Sequence, residues 1–143
     1  MPEDIIIRAM EEADIPAALE LWKAVFTPKS SAANERREVI ARYLARNPGL
    51  STAAVDAQGA LIGTVLCGHD GRRGSLFHAA VVPAFRRHGI ARRMQERCVE
   101  ALRREGVGSA FLLVTPINPG SQEFWASVGW EVFPEVRYVF KTL

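Results

Sequence analysis

Between Leu50 and Val82 the chain carries three β-rich runs, over 50–55, 61–68 and 76–82, parted by short turn segments. The segments Asp56-Ala57-Gln58-Gly59 and Asp70-Gly71-Arg72-Arg73-Gly74 are rich in turn formers. Asp accepts hydrogen bonds from the amides that follow it, and Gly tolerates positive φ. Strands joined this closely run antiparallel, because a parallel return needs a crossover of a dozen residues or more. The spacing therefore predicts a three-strand meander, ended by Pro83.

The flanking segments follow from hydrophobic period. Ile5-Ile6-Ile7 reads as a strand. Asp14 is a cap candidate for a helix whose apolar stripe includes Ile15, Ala18, Leu19, Trp22, Val25 and Phe26. Pro16 falls in its first turn, where a missing N–H costs nothing. After a loop over 27–33, Asn34 is the next cap candidate, and Val39, Ile40, Tyr43 and Leu44 share one face of a helix that Asn47-Pro48-Gly49 stops. Beyond the meander a helix is predicted over 89–105, with Ile90, Met94, Cys98, Ala101 and Leu102 facing inward and Gly106 and Gly108 at its end. Phe111 to Thr115 is apolar on both faces, as suits a central strand parallel to the third meander strand with the helix as crossover. A short helix over 121–128, stopped by Gly129, and a hairpin of 130–133 with 136–140 complete the order βααβββαβαββ. The expected class is α+β, a mixed central sheet flanked by helices, in one domain over 1–143.

A length of 143 residues suits one core, and 48% hydrophobic with 24% charged residues excludes intrinsic disorder, collagen and a disulfide-held miniprotein. No apolar run is long enough to span a bilayer, and the start Met1-Pro2-Glu3-Asp4 lacks the basic and apolar regions of a secretory signal. Cys67 and Cys98 have no metal-like spacing and are expected as two reduced, buried thiols in a cytoplasmic protein. The net charge of +2 hides a concentration: residues 86–104 hold seven Arg against Glu96 and Glu100, while the other eleven basic and fourteen acidic residues leave the remainder at −3. Fifteen of the eighteen basic residues are Arg, the side chain that pairs bidentately with phosphate.

That concentration begins where strand meets helix, at Val81-Val82-Pro83-Ala84-Phe85-Arg86-Arg87-His88-Gly89-Ile90-Ala91-Arg92-Arg93. The first amides of a helix have no carbonyl partner, and the helix dipole makes their end electropositive. Gly89 and Ala91 leave room for close approach there, while Arg86, Arg87 and His88 converge on the same point and Arg92 and Arg93 lie one turn on. An anion site, phosphate above all, follows. On spacing alone, a helix start with solvated arginines reads the same way. A Walker loop is absent, and only the R-x-x-G-x-A part of a dinucleotide fingerprint is present.

Arg86-x-x-Gly89-x-Ala91 resembles the [QR]-x-x-G-x-[GA] signature of the GNAT superfamily of acyl-CoA-dependent N-acetyltransferases. Val81-x-Pro83 with Phe85-Arg86 resembles the family's strand-to-loop entry. Asn118, then Phe124-Trp125 and Gly129-Trp130, resembles its second motif, N-x5-[FL]-Y-x3-G-[FY]. The element order matches as well, and the Gly71-to-Gly74 turn is similar to the bacterial subset around ribosomal-protein alanine acetyltransferases. The resemblance implies acetyl transfer from acetyl-CoA to a primary amine by direct attack in a ternary complex, without metal. It implies that the amides of Arg87, His88, Gly89, Ile90 and Ala91 cradle the CoA pyrophosphate beside Arg86. Val81 and Val82 would offer backbone groups to pantetheine where the parallel strands splay, Asn118 would bond the same arm, and Arg92 would reach the 3′-phosphate.

Two catalytic positions depart from the pattern. Trp125 stands where the family has its acid Tyr, and an indole N–H does not titrate. Packing along the pantetheine channel is its expected role, with Ser127, Tyr138 or a water as substitute acid. The third meander strand has no Glu, so His78 is the candidate base, expected on one face with Leu76, Ala80 and Val82. Phe26 is a candidate lining residue for the acceptor, and His69 and Asp70 read as turn residues. A non-catalytic acyl-CoA sensor is the competing function. Expected partners are an amine-bearing small molecule, a peptide or a protein N-terminus, with neither nucleic acid nor membrane, in a monomer or homodimer.

Overall fold

The computed structural model describes residues 4–26, 36–115 and 119–143. It divides into two compact units, 1–112 and 113–143. The first holds β1 (Ile6–Ala9), α1 (Ile15–Val25), α2 (Arg37–Arg46), β2 (Thr52–Val55), β3 (Leu61–His69), β4 (Gly74–Val81), α3 (Ile90–Arg104) and β5 (Ala110–Phe111). The second holds α4 (Pro119–Ser127).

The meander forms as its turns require. Asp56 Oδ1 accepts from the amides of Gln58 and Ala60, both at 2.9 Å, and Asp70 Oδ1 accepts from those of Arg72 and Arg73. Backbone bonds from Arg73 and Arg72 hold the Asp70 carboxyl at about 2. The sheet order is β1-β2-β3-β4-β5, antiparallel except for the parallel pair β4–β5. On one face, Ile15, Ala18, Leu21 and Trp22 of α1 and Ile40 of α2 pack with Ala53, Leu66 and Ala80. α3 packs on the other face, where strand glycines let it close in. A Cβ on Gly63 would sit 2.9 Å from Met94 Cε, and one on Gly74 would sit 2.6 Å from Leu102 Cδ1.

Helix boundaries shift by small, explicable amounts. Asp14 does precede α1, but its carboxylate does not cap that helix. It grips the Arg8 guanidinium with two bonds of 2.8 Å and accepts from Glu11 N–H. The hydrogen bond from Arg8 holds the Asp14 carboxyl below its ordinary range. Asn34 and the 27–33 loop lie outside the described residues, and α2 begins after Arg36. Its end is set by buried Asn47, whose side chain donates to Tyr43 O at 3.2 Å and accepts from His69 N–H at 3.1 Å.

Three strand expectations are corrected. The strand expected over 111–115 pairs only at Gly74–Ala110 and Ser75–Phe111, parallel to β4 as predicted but last in the sheet order. The register of β3 and β4 slips between Thr64 and Leu66, so that one β3 residue faces two on β4. Such a bulge bends and twists its strand, and it falls just past the last β4–β5 pair. Third, the hairpin expected over 130–133 and 136–140 forms its turn, with Val136 N–H bonding Phe133 O at 3.3 Å, but no ladder. Pro134 interrupts the segment, and an isolated two-stranded ribbon is marginal in water. Val132, Phe133, Val136, Tyr138, Val139 and Phe140 are accordingly exposed.

Candidate active site

The loop from β4 to α3 is built to leave amides unpaired. Phe85 N–H bonds Val82 O and Arg86 N–H bonds Pro83 O, which closes one 3-10 turn. The chain then passes through two left-handed residues, Arg87 at φ 67° and Gly89 at φ 77°. Gly89 is the N-cap of α3 rather than part of its first turn. The first amide of the helix to reach a carbonyl is that of Arg93, which bonds Gly89 O at 3.1 Å. The amides of Arg87, His88, Gly89, Ile90, Ala91 and Arg92 find no backbone acceptor among the described residues. Nothing lies within 4 Å of a Cβ built on Gly89, so its positive φ, not crowding inside the chain, calls for glycine.

Around this cradle Arg87 and His88 are exposed, and Ile90 is buried beneath it. Arg92 is exposed and lies 3.8 Å from the Glu96 carboxylate, an ion pair that solvent screens heavily. Arg86 has a different role from a solvated phosphate clamp. Its Nε donates to Val81 O at 3.1 Å and ties the loop back to the strand it left.

The end of β4 has one open edge. Val82 N–H bonds Ile62 O at 2.8 Å and Val82 O takes Phe85 N–H, so both backbone groups of Val82 are engaged within the chain. By alternation the N–H and C=O of Val81 point to the opposite edge, where pairing with β5 has already ended at Ser75. Of the two valines, only Val81 turns its backbone to an edge that no described strand covers, and since its carbonyl accepts from Arg86 Nε, only its N–H is left for a ligand.

His78 sits in the bulge with φ 51°, a conformation uncommon outside glycine. The extra residue breaks the alternation expected from sequence at Leu76, which alone of the four leaves the shared face. Ala80 and Val82 face the α1 side, and the His78 ring joins them there, 4.6 Å from Trp22 and 5.6 Å from Phe26 between ring centroids. Leu76, paired with Cys67, lies on the other face. Trp22, Phe26 and His78 are thus brought together, although Trp22 itself is buried. Phe77 stacks edge-on with Phe111 at 6.3 Å, and the Arg73 guanidinium lies 4.6 Å over the Phe111 ring.

The remaining candidates fall elsewhere. Asn118 lies outside the described residues. Trp125 is buried in the second unit, with its ring 5.0 Å from Phe124 and 5.5 Å from Trp130. Tyr138, in the same unit, is 66% exposed and 6.3 Å from Phe140. Ser127 spends its hydroxyl proton on Phe124 O at 2.6 Å, which removes it as a ready acid. His69, the last residue of β3 and beside the hairpin turn as expected, accepts Gly71 N–H and meets Glu105 at 3.1 Å. Cys67 and Cys98 are free thiols in the core, and the hydrogen bond with Cys98, then burial, push the Cys67 thiol up. Among the described residues no cluster of three metal-ligating side chains occurs. Nor is any described helix long and apolar enough to cross a membrane.

A groove of about 280 Å³ lies along the far end of α3, lined by Gly49, Arg97, Glu100 and Arg104 among others. Its α3 residues follow the cradle along the same helix, beginning five positions after Arg92. Arg97 donates within the chain, to Gly49 O at 3.1 Å and Thr52 Oγ1 at 3.0 Å, and so is already engaged. Two features were not read from the sequence, the bulge and the buried hydroxyl of Thr64 beneath it; a β-strand Thr among apolar neighbours carried no signal of either.

Free amides at a helix N-terminus, with arginines around them and a strand edge beside them, form an electropositive cradle of the kind that takes anions, on a mixed sheet. The family follows from comparison. The profile of the Acetyltransferase (GNAT) family matches residues 15–130, most of the chain, and the chain belongs to that family as an acetyltransferase. An acetyltransferase of Pectobacterium atrosepticum is 31% identical over 112 residues, covering 78% of this chain and 77% of its own. Ard1 from Thermoplasma volcanium matches with a TM-score of 0.80 at 18% identity, over 91% of this chain and 84% of its own. AAC(6')-Iy in complex with the bisubstrate analogue CoA-S-monomethyl-acetylneamine matches at 0.77 and 19%, over 97% and 99%. At these identities the two structures speak for the fold.

Proposed function

We propose that the chain acts as one catalytic domain that transfers the acetyl group of acetyl-CoA to a primary amine within a ternary complex. The observation that carries this reading is the run of unpaired amides from Arg87 to Arg92 beside the open edge of β4. The amides and Arg87 receive the pyrophosphate, Arg92 turns from Glu96 to the 3′-phosphate, and Arg86 holds the loop in place. Val81 offers its N–H to the pantetheine arm while Arg86 keeps its carbonyl, and the family resemblance adds Asn118 as a second partner. Trp125 packs along that arm. Phe26 and His78 border the acceptor.

In the reaction the amine nitrogen attacks the thioester carbonyl carbon, the C–S bond breaks, and the electron pair leaves on sulfur. His78 takes the proton lost by the amine. A thiol has a pKa near about 8.5, so the leaving thiolate needs little help, and a missing acid costs at most roughly 10²–10⁴ in rate. Tyr138 or a water supplies that proton. Positioning of the two reactants then carries most of the acceleration.

A site whose base is an imidazole rather than a carboxylate favours amines that lose a proton easily. At pH 7 a lysine amine costs about 4.6 kcal/mol to deprotonate, an α-amine only about 1–1.4 kcal/mol. The acceptor is therefore a peptide or protein N-terminus or a small low-pKa amine, in the cytoplasm, where the two core cysteines stay reduced. The non-catalytic sensor remains the second reading, because neither Trp125 nor the engaged Ser127 offers an acid. Thiol release from acetyl-CoA over a panel of matched α-amine and ε-amine acceptors separates them. Release that favours α-amines is expected; CoA binding without release by any amine means a sensor, and a clear lysine preference overturns the acceptor argument.

A further inference from the structure

Beneath the bulge runs a short chain of hydrogen bonds, one buried and one part-buried, that the reaction scheme does not use. Trp22 Nε1 lies 2.8 Å from Thr64 Oγ1, and Thr64 Oγ1 lies 2.8 Å from the backbone oxygen of His78. Thr64 is fully buried and Trp22 nearly so. The direction of both bonds is fixed by chemistry. An indole nitrogen only donates, so Thr64 Oγ1 accepts from Trp22. The carbonyl only accepts, so the single Thr64 proton goes to His78. No water is needed to satisfy the chain, and no alternative orientation satisfies it.

The receiving carbonyl belongs to the one residue of β4 with a left-handed backbone. A left-handed non-glycine residue costs of order 1–3 kcal/mol and persists only where its surroundings over-determine it. Here a hydroxyl from the neighbouring strand holds the bulged carbonyl, and the helix that packs over the sheet holds that hydroxyl. The same helix supplies the ring against which the imidazole stacks. The bulge therefore sets which face His78 occupies, and Thr64 sets the bulge.

We propose that Thr64, oriented by Trp22, is a positioning residue that holds His78 on the acceptor side of β4 for proton removal. The inference rests on His78 being the base of the proposed reaction. Loss of the hydroxyl leaves the indole N–H unpaired in the core, takes this donor from the His78 carbonyl and frees the bulge to relax toward regular alternation. That relaxation would shift the imidazole from its place beside Trp22 and Phe26. Displacements of about 1 Å at a reacting group cost up to roughly 10²-fold.

The test compares Thr64→Val, nearly isosteric but without the hydroxyl, with Thr64→Ser, which restores it. Trp22→Phe removes the N–H and keeps a ring, and carries the test should Thr64→Val fail to fold. His78→Asn keeps a residue tolerant of positive φ but has no base. Thiol release is followed with acetyl-CoA and the amine that the wild type uses best, and CoA affinity is measured by calorimetry. Thr64→Val is expected to lower kcat about 10- to 100-fold, with CoA affinity and the acetyl-CoA KM within about threefold of wild type. Thr64→Ser is expected to recover most of kcat. A merely structural role would move stability and CoA affinity together and would leave kcat of the folded fraction intact. Wild-type kcat in Thr64→Val, with His78→Asn slow, overturns the positioning role alone. Wild-type kcat in His78→Asn removes the base and the role with it. Absence of any thiol release from the wild type overturns the transfer reading on which both stand.

Discussion

Gly89→Glu separates the two properties of the cradle. Gly89 adopts φ 77° with nothing within 4 Å of a Cβ, so the substitution meets no clash. Its cost to folding is the left-handed backbone alone, about 1–2 kcal/mol. Against a typical stability of about 5–15 kcal/mol the fold survives, with the melting temperature down by roughly 3–8 °C. Its cost to binding is larger. The new carboxylate stands among the amides from Arg87 to Arg92, where the diphosphate is to lie. Two like charges about 4 Å apart near a protein surface repel by roughly 4 kcal/mol, close to a thousandfold in Kd. Calorimetric titration with CoA, beside a thermal melt, reads both numbers. The companion Gly89→Ala carries the backbone cost without the charge and should lose only a small part of the affinity. CoA affinity within threefold of wild type in a folded Gly89→Glu protein would refute the placement of the diphosphate at this helix.

Three further outcomes follow from the same reasoning. Arg87 is also left-handed, at φ 67°, so Arg87→Gly should raise thermal stability by about 1 kcal/mol while weakening CoA binding, a split seen by melting and calorimetry on one sample. Asp14 has its pKa lowered in the fold by the Arg8 bond, so the pair stabilises above the unfolded carboxyl pKa and loses its effect as pH falls through the folded value. Asp14→Asn should cost about 1 kcal/mol at pH 7, after allowance for screening at the part-exposed Arg8, and the gap to wild type in urea melts should close in strong acid. Cys67 and Cys98 should resist a thiol reagent in the native protein and react on denaturation, and rapid labelling of either in the native state would contradict their burial.

The sequence disclosed what is local and lost what is shared between distant segments. The meander was legible because Asp56 and Asp70 act on amides two to four residues away. The α3 cradle was legible because a helix start needs only its own backbone, and Arg86-x-x-Gly89-x-Ala91 marks one. Asp14 was misread as a cap because its preferred partner, Arg8, sits on a strand whose pairing no local pattern reveals. His78 was rightly grouped with Ala80 and Val82 but wrongly with Leu76, because period-2 counting assumes an unbroken ladder and the slip between Thr64 and Leu66 breaks it. Gly63 carried no signal and Gly74 read as a turn residue; the close approach of Met94 and Leu102 that both permit exists only once α3 has docked.

The bulge also divides β4 into two halves with different obligations. From Gly74 to Leu76 the strand meets β3, β5 and α3 at once, so nearly every atom there is committed to holding the sheet together. Past the bulge the strand keeps β3 on one side and leaves Val81 turned toward the other. Mutational tolerance should follow that boundary within a single eight-residue strand. Changes in the first half should appear as loss of soluble protein, and changes in the second as loss of turnover in protein that still accumulates. A lineage could in this way retune the chemistry at one end of β4 while the other end continued to secure the fold.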